Sequence, residues 1–220
     1  MSLQKKKKAL QQQEQIDLPT GWLQGRTIYG GVVSGLMMQK AIFAVNDEHK
    51  RLLSSYVTFV GPVSASPVRI SAEILREGKS VTTVEVRLWQ ENAVQSILIA
   101  SFGAERHSDI QVQQERIAPD YGTPEQWPLL PFHPLMPQCY QQFELAWAEG
   151  QFPCTASQKP DFGGWFRFNP NLHENRTFTV ADLMSLLDIW PPGVLPMFKR
   201  MAPASSLTWQ VSYIHPIQHQ

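Results

Sequence analysis

The stretch Tyr29-Gly30-Gly31-Val32-Val33-Ser34-Gly35-Leu36-Met37-Met38-Gln39-Lys40-Ala41-Ile42-Phe43-Ala44-Val45 limits what this chain can become more than any other. Val33, Leu36, Met37, Ala41, Ile42 and Ala44 recur at helical spacing and form a wide apolar face. Val32, Met38 and Phe43 lie off that face, so little of the circumference is polar before Gln39-Lys40. A helix that is apolar nearly all round has to be buried. Strand-like runs follow it rather than further helices, so the expected cover is a sheet wrapped around it. Gly30 and Gly31 let backbone N–H groups at the helix start come close to a ligand, where the helix dipole favours negative charge. The alternative is that the pair only turns the chain into the helix.

Four strand-like runs come next. Leu52 to Val60 alternates, with Val57 and Phe59 on one side and Tyr56, Thr58 and Val60 on the other. Val68 to Leu75 puts Val68, Ile70, Ala72 and Ile74 on one face, and Val81 to Trp89 does the same with Val84, Val86 and Leu88. Glu77-Gly78-Lys79 joins those two as a hairpin, and Glu91-Asn92 turns the chain into Ala93 to Phe102. Residues 16–106 therefore form one unit, a buried helix followed by four antiparallel strands. Residues 107–138 are rich in Pro and Gln, with Pro119, Pro124, Pro128, Pro131, Pro134 and Pro137 excluding helix and central strand, so they read as a linker. Its Trp127, Leu129, Leu130 and Phe132 suggest that it lies along the fold with these side chains buried. In residues 139–220, Gln141 to Trp147 and Gly164 to Phe168 read as strands, and Asn169 to Arg176 as a polar loop. Thr179 then caps a helix with Asp182 as its capping-box acid, and Pro191-Pro192 stops it.

The two halves repeat each other. Ser34-Gly35-Leu36-Met37 falls on Ala181-Asp182-Leu183-Met184 at an offset of 147, and Val57 to Pro62 falls on Val211 to Pro216 at an offset of 154. Units sharing one pattern usually pack as pseudo-symmetric partners. The repeat also shows a shortfall: three strands follow Pro62 in the first unit, but only Ile217-Gln218-His219-Gln220 follow Pro216. On that basis the second unit is incomplete by roughly 40 residues. Its Leu183, Leu187 and Trp190 face would be left exposed or be covered by another chain, which predicts a homo-oligomer.

Formal net charge is zero, which argues against nucleic acid or an anionic membrane surface as the main partner. Lys5-Lys6-Lys7-Lys8, followed by Gln-rich sequence, reads as a solvated, disordered arm over residues 1–15. No apolar run is long enough to span a membrane, and no signal-peptide core follows the lysines. Cys139 and Cys154 lack metal-type spacing and read as free thiols in a reducing cytoplasm. No metal, flavin or nucleotide motif is present, so no cofactor is expected. His107, His133, His173, His215 and His219 lie in linker or loop sequence without metal-site spacing, and Ser34 and Ser185 lack the strained elbow of a hydrolase nucleophile.

A buried helix wrapped by an antiparallel sheet and duplicated in one chain is an α+β arrangement that resembles the double hot dog fold. The sequence resembles the acyl-CoA thioesterase II family over roughly residues 20–216. The resemblance rests on Tyr29-Gly30-Gly31-Val32-Val33, Ser55 to Pro62, Glu77-Gly78-Lys79-Ser80, Ala100-Ser101-Phe102, Leu187 to Pro192 and Ser205-Ser206-Leu207-Thr208-Trp209. It implies hydrolysis of fatty acyl-CoA to free acid and CoA, with acyl-CoA as the partner molecule. It also implies that Asp188 of the Asp-x-x-Pro-Pro pattern activates a water with the hydroxyl of Ser206, where the family often has Thr. A Gln from a later strand would complete the site, and this sequence does not contain that strand. The thioester oxygen would be held by N–H groups near Gly30 and Gly31. Read from the residues alone, Asp188 is a carboxylate beside Leu187 and Ile189 in a last helical turn, where the dipole disfavours an anion and burial would raise its pKa. The plain alternative is a solvent-facing Asp on a polar helix edge, with Ser206 an ordinary strand residue. A non-catalytic acyl-CoA or acyl-chain binding module is the competing function. A hot dog dehydratase ranks behind both, because no His accompanies Asp188.

Overall fold

The computed structural model describes residues 3–18, 20–110, 118–173, 177–202 and 204–216. Small parts of the expected arm (residues 1–2), linker (111–117) and polar loop (174–176) lie outside the described residues, as do residues 217–220. The elements in order are α1 (Leu3–Ala9), β1 (Gln15–Ile16), β2 (Leu23–Gln24), β3 (Thr27–Ile28), α2 (Gly30–Val45), β4 (Lys50–Phe59), β5 (Val68–Glu77), β6 (Val81–Gln90), β7 (Ala93–Ala104), β8 (Phe143–Gly150), β9 (Phe162–Phe168), α3 (Val180–Leu186) and β10 (Thr208–Ser212). No helix among the described residues is long and apolar enough to cross a membrane.

The apolar stretch at 29–45 forms the buried helix. Every residue from Gly31 to Met38 is buried in α2, and Asn46 ends it in the left-handed conformation at φ 44°. Strands β5, β6, β7 and β4 pair antiparallel in that order, with β1 on one edge and β10 on the other. Their inward residues alternate as the sequence requires: Val68 and Ile70, Val84, Val86 and Leu88, Leu98, Ala100 and Phe102, and Val57 all face the helix and are buried. The β6–β7 hairpin closes on two residues, Glu91 and Asn92, both with positive φ (50° and 64°), the backbone that suits the twist of paired strands.

The second half joins the first through both layers. In the sheet, β10 pairs antiparallel with β4, and Tyr56 stands opposite Gln210. These two residues are 154 apart, the offset of the repeat, so the pseudo-twofold axis passes between them. In the helical layer α3 packs antiparallel on α2. A Cβ on Gly35 would lie 2.7 Å from the Ala181 carbonyl oxygen, and one on Gly31 would lie 2.5 Å from that of Ser185. Glycine at these two positions lets the helix backbones touch.

Four expectations need correction. The arm at 1–15 is not a solvated coil over its described part, since Leu3–Ala9 is helical. Leu3 and Leu10 share one helix face and are buried in the core, and between them Lys7 Nζ lies 2.7 Å from Asp182, both side chains almost fully buried. Lys6 also donates to the Asp17 carbonyl. The helix expected to run to Trp190 ends at Leu186 and tightens into a turn through Ile189 N–H donating to the Leu186 carbonyl, because the residues ahead of Pro191 leave the helical region. In the linker, Leu129 and Phe132 are exposed rather than buried, although Leu130 N–H donates to the Leu145 carbonyl and holds the segment along β8. Of the face expected to lie open, Trp190 is covered by Trp147, Phe162 and Phe166 of the β8–β9 hairpin, while Leu187 remains exposed.

Candidate active site

Asp188 lies in the turn after α3, at the C-terminal end of one helix and the N-terminal end of the other. Its carboxylate oxygen is 2.8 Å from where a Cβ on Gly30 would stand, and the Gly31 N–H lies near enough to pull its pKa down. The antiparallel packing of α2 and α3 causes this placement: the acid leaves the unfavourable end of its own helix dipole and meets the favourable end of its neighbour's. Burial nonetheless dominates. It pushes the Asp188 carboxyl up from an ordinary 3.8 to about 6, against the smaller opposing effect of the Gly31 N–H.

The surroundings of the carboxylate come from distant parts of the chain. The Phe59 ring reaches 3.3 Å from the Gly30 Cβ position and stacks at 6.2 Å on Trp209 of β10. Tyr29, Cys139 and Tyr140 are close enough to feel the Asp188 charge. Burial first, and that charge second, pushes the Cys139 thiol up to about 12 and raises the Tyr29 phenol. Tyr140 is also raised, by burial first and then by Cys139 and Asp188. The phenol of Tyr29 donates to the Ser185 carbonyl (2.9 Å) and that of Tyr140 to the Ile189 carbonyl (2.9 Å). The sequence reading missed the roles of Tyr29 and Tyr140. Tyr29 stands directly before the glycine pair, which is a usable signal. Nothing in the sequence links Tyr140 to Asp188, because the linker brings them together.

Gly30, Gly31 and Asp188 thus lie together where the two helix ends meet. The Gly31 N–H lies beside the carboxylate, because Asp188 packs directly onto the helix start. Ser206 is exposed, two residues ahead of β10, and makes no hydrogen bond to Asp188 among the described residues. The nearest link is through the backbone, where Phe59 N–H donates to the Leu207 carbonyl at 3.0 Å. The helical serines bond within their own helices. Ser34 donates to the Gly31 carbonyl and Ser185 to the Ala181 carbonyl. No group of His, Cys, Asp and Glu suited to a metal occurs among the described residues.

The site is single. The offset of 147 that superposes the helices puts Ala41 at the position of Asp188 in the first half, and Ala41 is fully buried. The N-terminal segment packs close by, where Lys40 Nζ donates to the Leu10 carbonyl.

Two helices sharing one wrapped sheet, with a lone half-buried carboxylate where their ends meet, define a double hot dog protein. Residues 18–103 match the acyl-CoA thioesterase N-terminal domain and residues 115–219 match the acyl-CoA thioesterase C-terminal domain, so the chain belongs to the acyl-CoA thioesterase family. Among solved structures it is similar to a hot dog protein of unknown function from Alicyclobacillus acidocaldarius, with 21% identity and a TM-score of 0.80 over 91% of this chain and 73% of that one. A putative thioesterase II from Thermobifida fusca matches with 18% identity and a TM-score of 0.74, covering 89% of this chain and 73% of that one. The tesB protein of Mycobacterium avium subspecies paratuberculosis matches with 16% identity and a TM-score of 0.70, covering 99% of this chain and 82% of that one. No curated protein gives a significant match.

Proposed function

We propose that this chain hydrolyses the thioester of fatty acyl-CoA, with Asp188 as the base that activates water. The observation that carries the reading is the Asp188 carboxylate held over Gly30 at the start of α2, with its pKa raised to about 6 by burial. A carboxylate tuned toward neutral pH can take a proton from water while it is still largely ionised in the resting site. The Phe59–Trp209 stack beside it offers an apolar wall for an acyl chain. Ser206 would orient the water only if the segment ahead of β10 moved toward the carboxylate. Its exposed position favours the second reading, a protein that binds acyl-CoA without cleaving it. Free CoA release from acyl-CoAs of graded chain length separates the two. Turnover that is lost in Asp188→Asn supports hydrolysis; tight binding with no CoA release supports the binding module.

We also infer self-association. Among the described residues β10 is paired on one edge only, and Leu207 and Ile214 beside it are 74% and 75% exposed. Sedimentation that gives a monomer at all concentrations would exclude it. Cys139 and Cys154 are both free, which suits a reducing cytoplasm.

A further inference from the structure

The turn bearing Asp188 is held by phenols from both halves of the chain. A helix leaves its last carbonyls without intrahelical partners, and near a carboxylate those oxygens add unfavourable negative potential. After α3, the Leu186 carbonyl accepts from Ile189 N–H. The Ser185 carbonyl, three residues before the acid, accepts from Tyr29, and the Ile189 carbonyl, one residue after it, accepts from Tyr140. Tyr29 is also the residue that precedes α2. Between the two helix ends, Tyr29 therefore donates to the last turn of α3 while the Asp188 carboxylate packs over the start of α2. Tyr29 is fully buried and makes an edge contact with Phe143, so its ring is fixed by packing as well.

We propose that Tyr140 and Tyr29 are positioning residues, phenolic donors that pin the carbonyls on either side of Asp188 and hold its carboxylate against the start of α2. The assignment rests on Asp188 being the base. Neither phenol need touch substrate. Each acts by fixing the turn, and a displacement of even about 1 Å at a reacting group can cost on the order of a hundredfold in rate. Removing one hydroxyl frees one carbonyl and loosens one side of the turn, so water reaches the carboxylate more easily. Among the described residues, the titratable groups that feel the Asp188 charge are Tyr29, Cys139 and Tyr140, each held neutral at neutral pH by burial.

The test compares Tyr140→Phe and Tyr29→Phe with wild type in two ways. In acyl-CoA hydrolysis, each variant is expected to lose about tenfold in kcat with KM changed by less than about twofold. In carbon-detected NMR of the Asp188 side-chain carboxyl, assigned by Asp188→Asn, the midpoint is expected to fall by about half a unit or more in each variant as burial relaxes. Tyr140, at the edge of the core, is the variant expected to keep its fold; Tyr29→Phe gives a second reading from the other half. If wild type releases no CoA but the titration still moves, the phenols hold the carboxylate in place but the hydrolase reading, and with it the catalytic part of the proposal, fails. If both variants keep the wild-type kcat and titration midpoint, or lose only melting temperature, the proposal is overturned.

Discussion

The Asp188 carboxylate packs over Gly30, so the acid just past the end of one helix rests on the residue that opens the other. The contact defines the most direct test of the chemistry. Asp188→Asn keeps the size and removes the proposed base. It should lower acyl-CoA turnover by about 10²–10⁴-fold while leaving the circular dichroism spectrum unchanged. A variant that still releases CoA at the wild-type rate would remove Asp188 from the mechanism.

The raised pKa has consequences of opposite sign for activity and stability. Activity should climb as pH rises through about 6, where Asp188 ionises in the folded protein, and then level off. Stability should move the other way. Between 3.8 and about 6 the unfolded chain is ionised at this residue while the folded one is still protonated, so raising the pH through that window favours unfolding. Above it the penalty is constant and at most about 3 kcal/mol, less to the extent that water reaches the carboxylate. Asp188→Asn should therefore melt several degrees higher than wild type near pH 8 and at about the same temperature near pH 3.5. Equal melting temperatures at both pH values would show that the acid is not destabilised by burial.

The two glycines should separate site from scaffold. A methyl group on Gly30 would stand 2.8 Å from the Asp188 carboxylate oxygen, with the Phe59 ring at 3.3 Å. Gly30→Ala should displace the acid, costing about tenfold or more in kcat with little change in melting temperature. At Gly31 the same methyl would stand 2.4 Å from the Tyr29 ring and 2.5 Å from the Ser185 carbonyl. Gly31→Ala should prise the helices apart and cost about 1–3 kcal/mol of stability together with activity. Chemical denaturation and kinetics on the same samples make the comparison. A Gly31 variant of unchanged stability would mean that the helices have room to adjust.

Lys7 and Asp182 form an ion pair with side chains only 5% and 4% exposed. Asp182 is also held by Thr179, whose N–H donates to it at 2.9 Å, as the capping acid of α3. Lys7→Ala breaks this buried ion pair, which can cost up to about 3–5 kcal/mol. The denaturation midpoint should drop accordingly. A neutral effect would mean that α1 does not dock.

Much of this architecture can be read from residue patterns, because each main element carries its own period. The all-round apolar stretch at 30–45 marks the central helix, and the alternation of Val84, Val86 and Leu88 marks a strand against it. The repeat identifies the partner halves, and the Tyr56–Gln210 register agrees with its offset to the residue. Asp188 is legible as a carboxylate in apolar company. What surrounds it is not, because Tyr140 and Cys139 meet it only through tertiary packing across a long linker. The N-terminal helix was hidden for a related reason. Four consecutive lysines read as solvated unless a buried acid awaits one of them, and Asp182 lies 175 residues away. Leu129 and Phe132 misled in the other direction, since apolar character alone does not say that a surface segment turns its side chains inward.

The pairing of β10 with β4 also has a consequence for assembly. The β4 edge that the first half would expose as an isolated fragment is covered by β10 of the second, and the shared helix contact adds to it. The chain is in effect a heterodimer tethered by its own backbone, with the connection supplying a fixed local concentration of one partner for the other. Severing that connection would make formation of the Asp188–Gly31 contact a second-order event, and the molecule would become dilution-sensitive, losing its site at low concentration and recovering it when the fragments are mixed in excess.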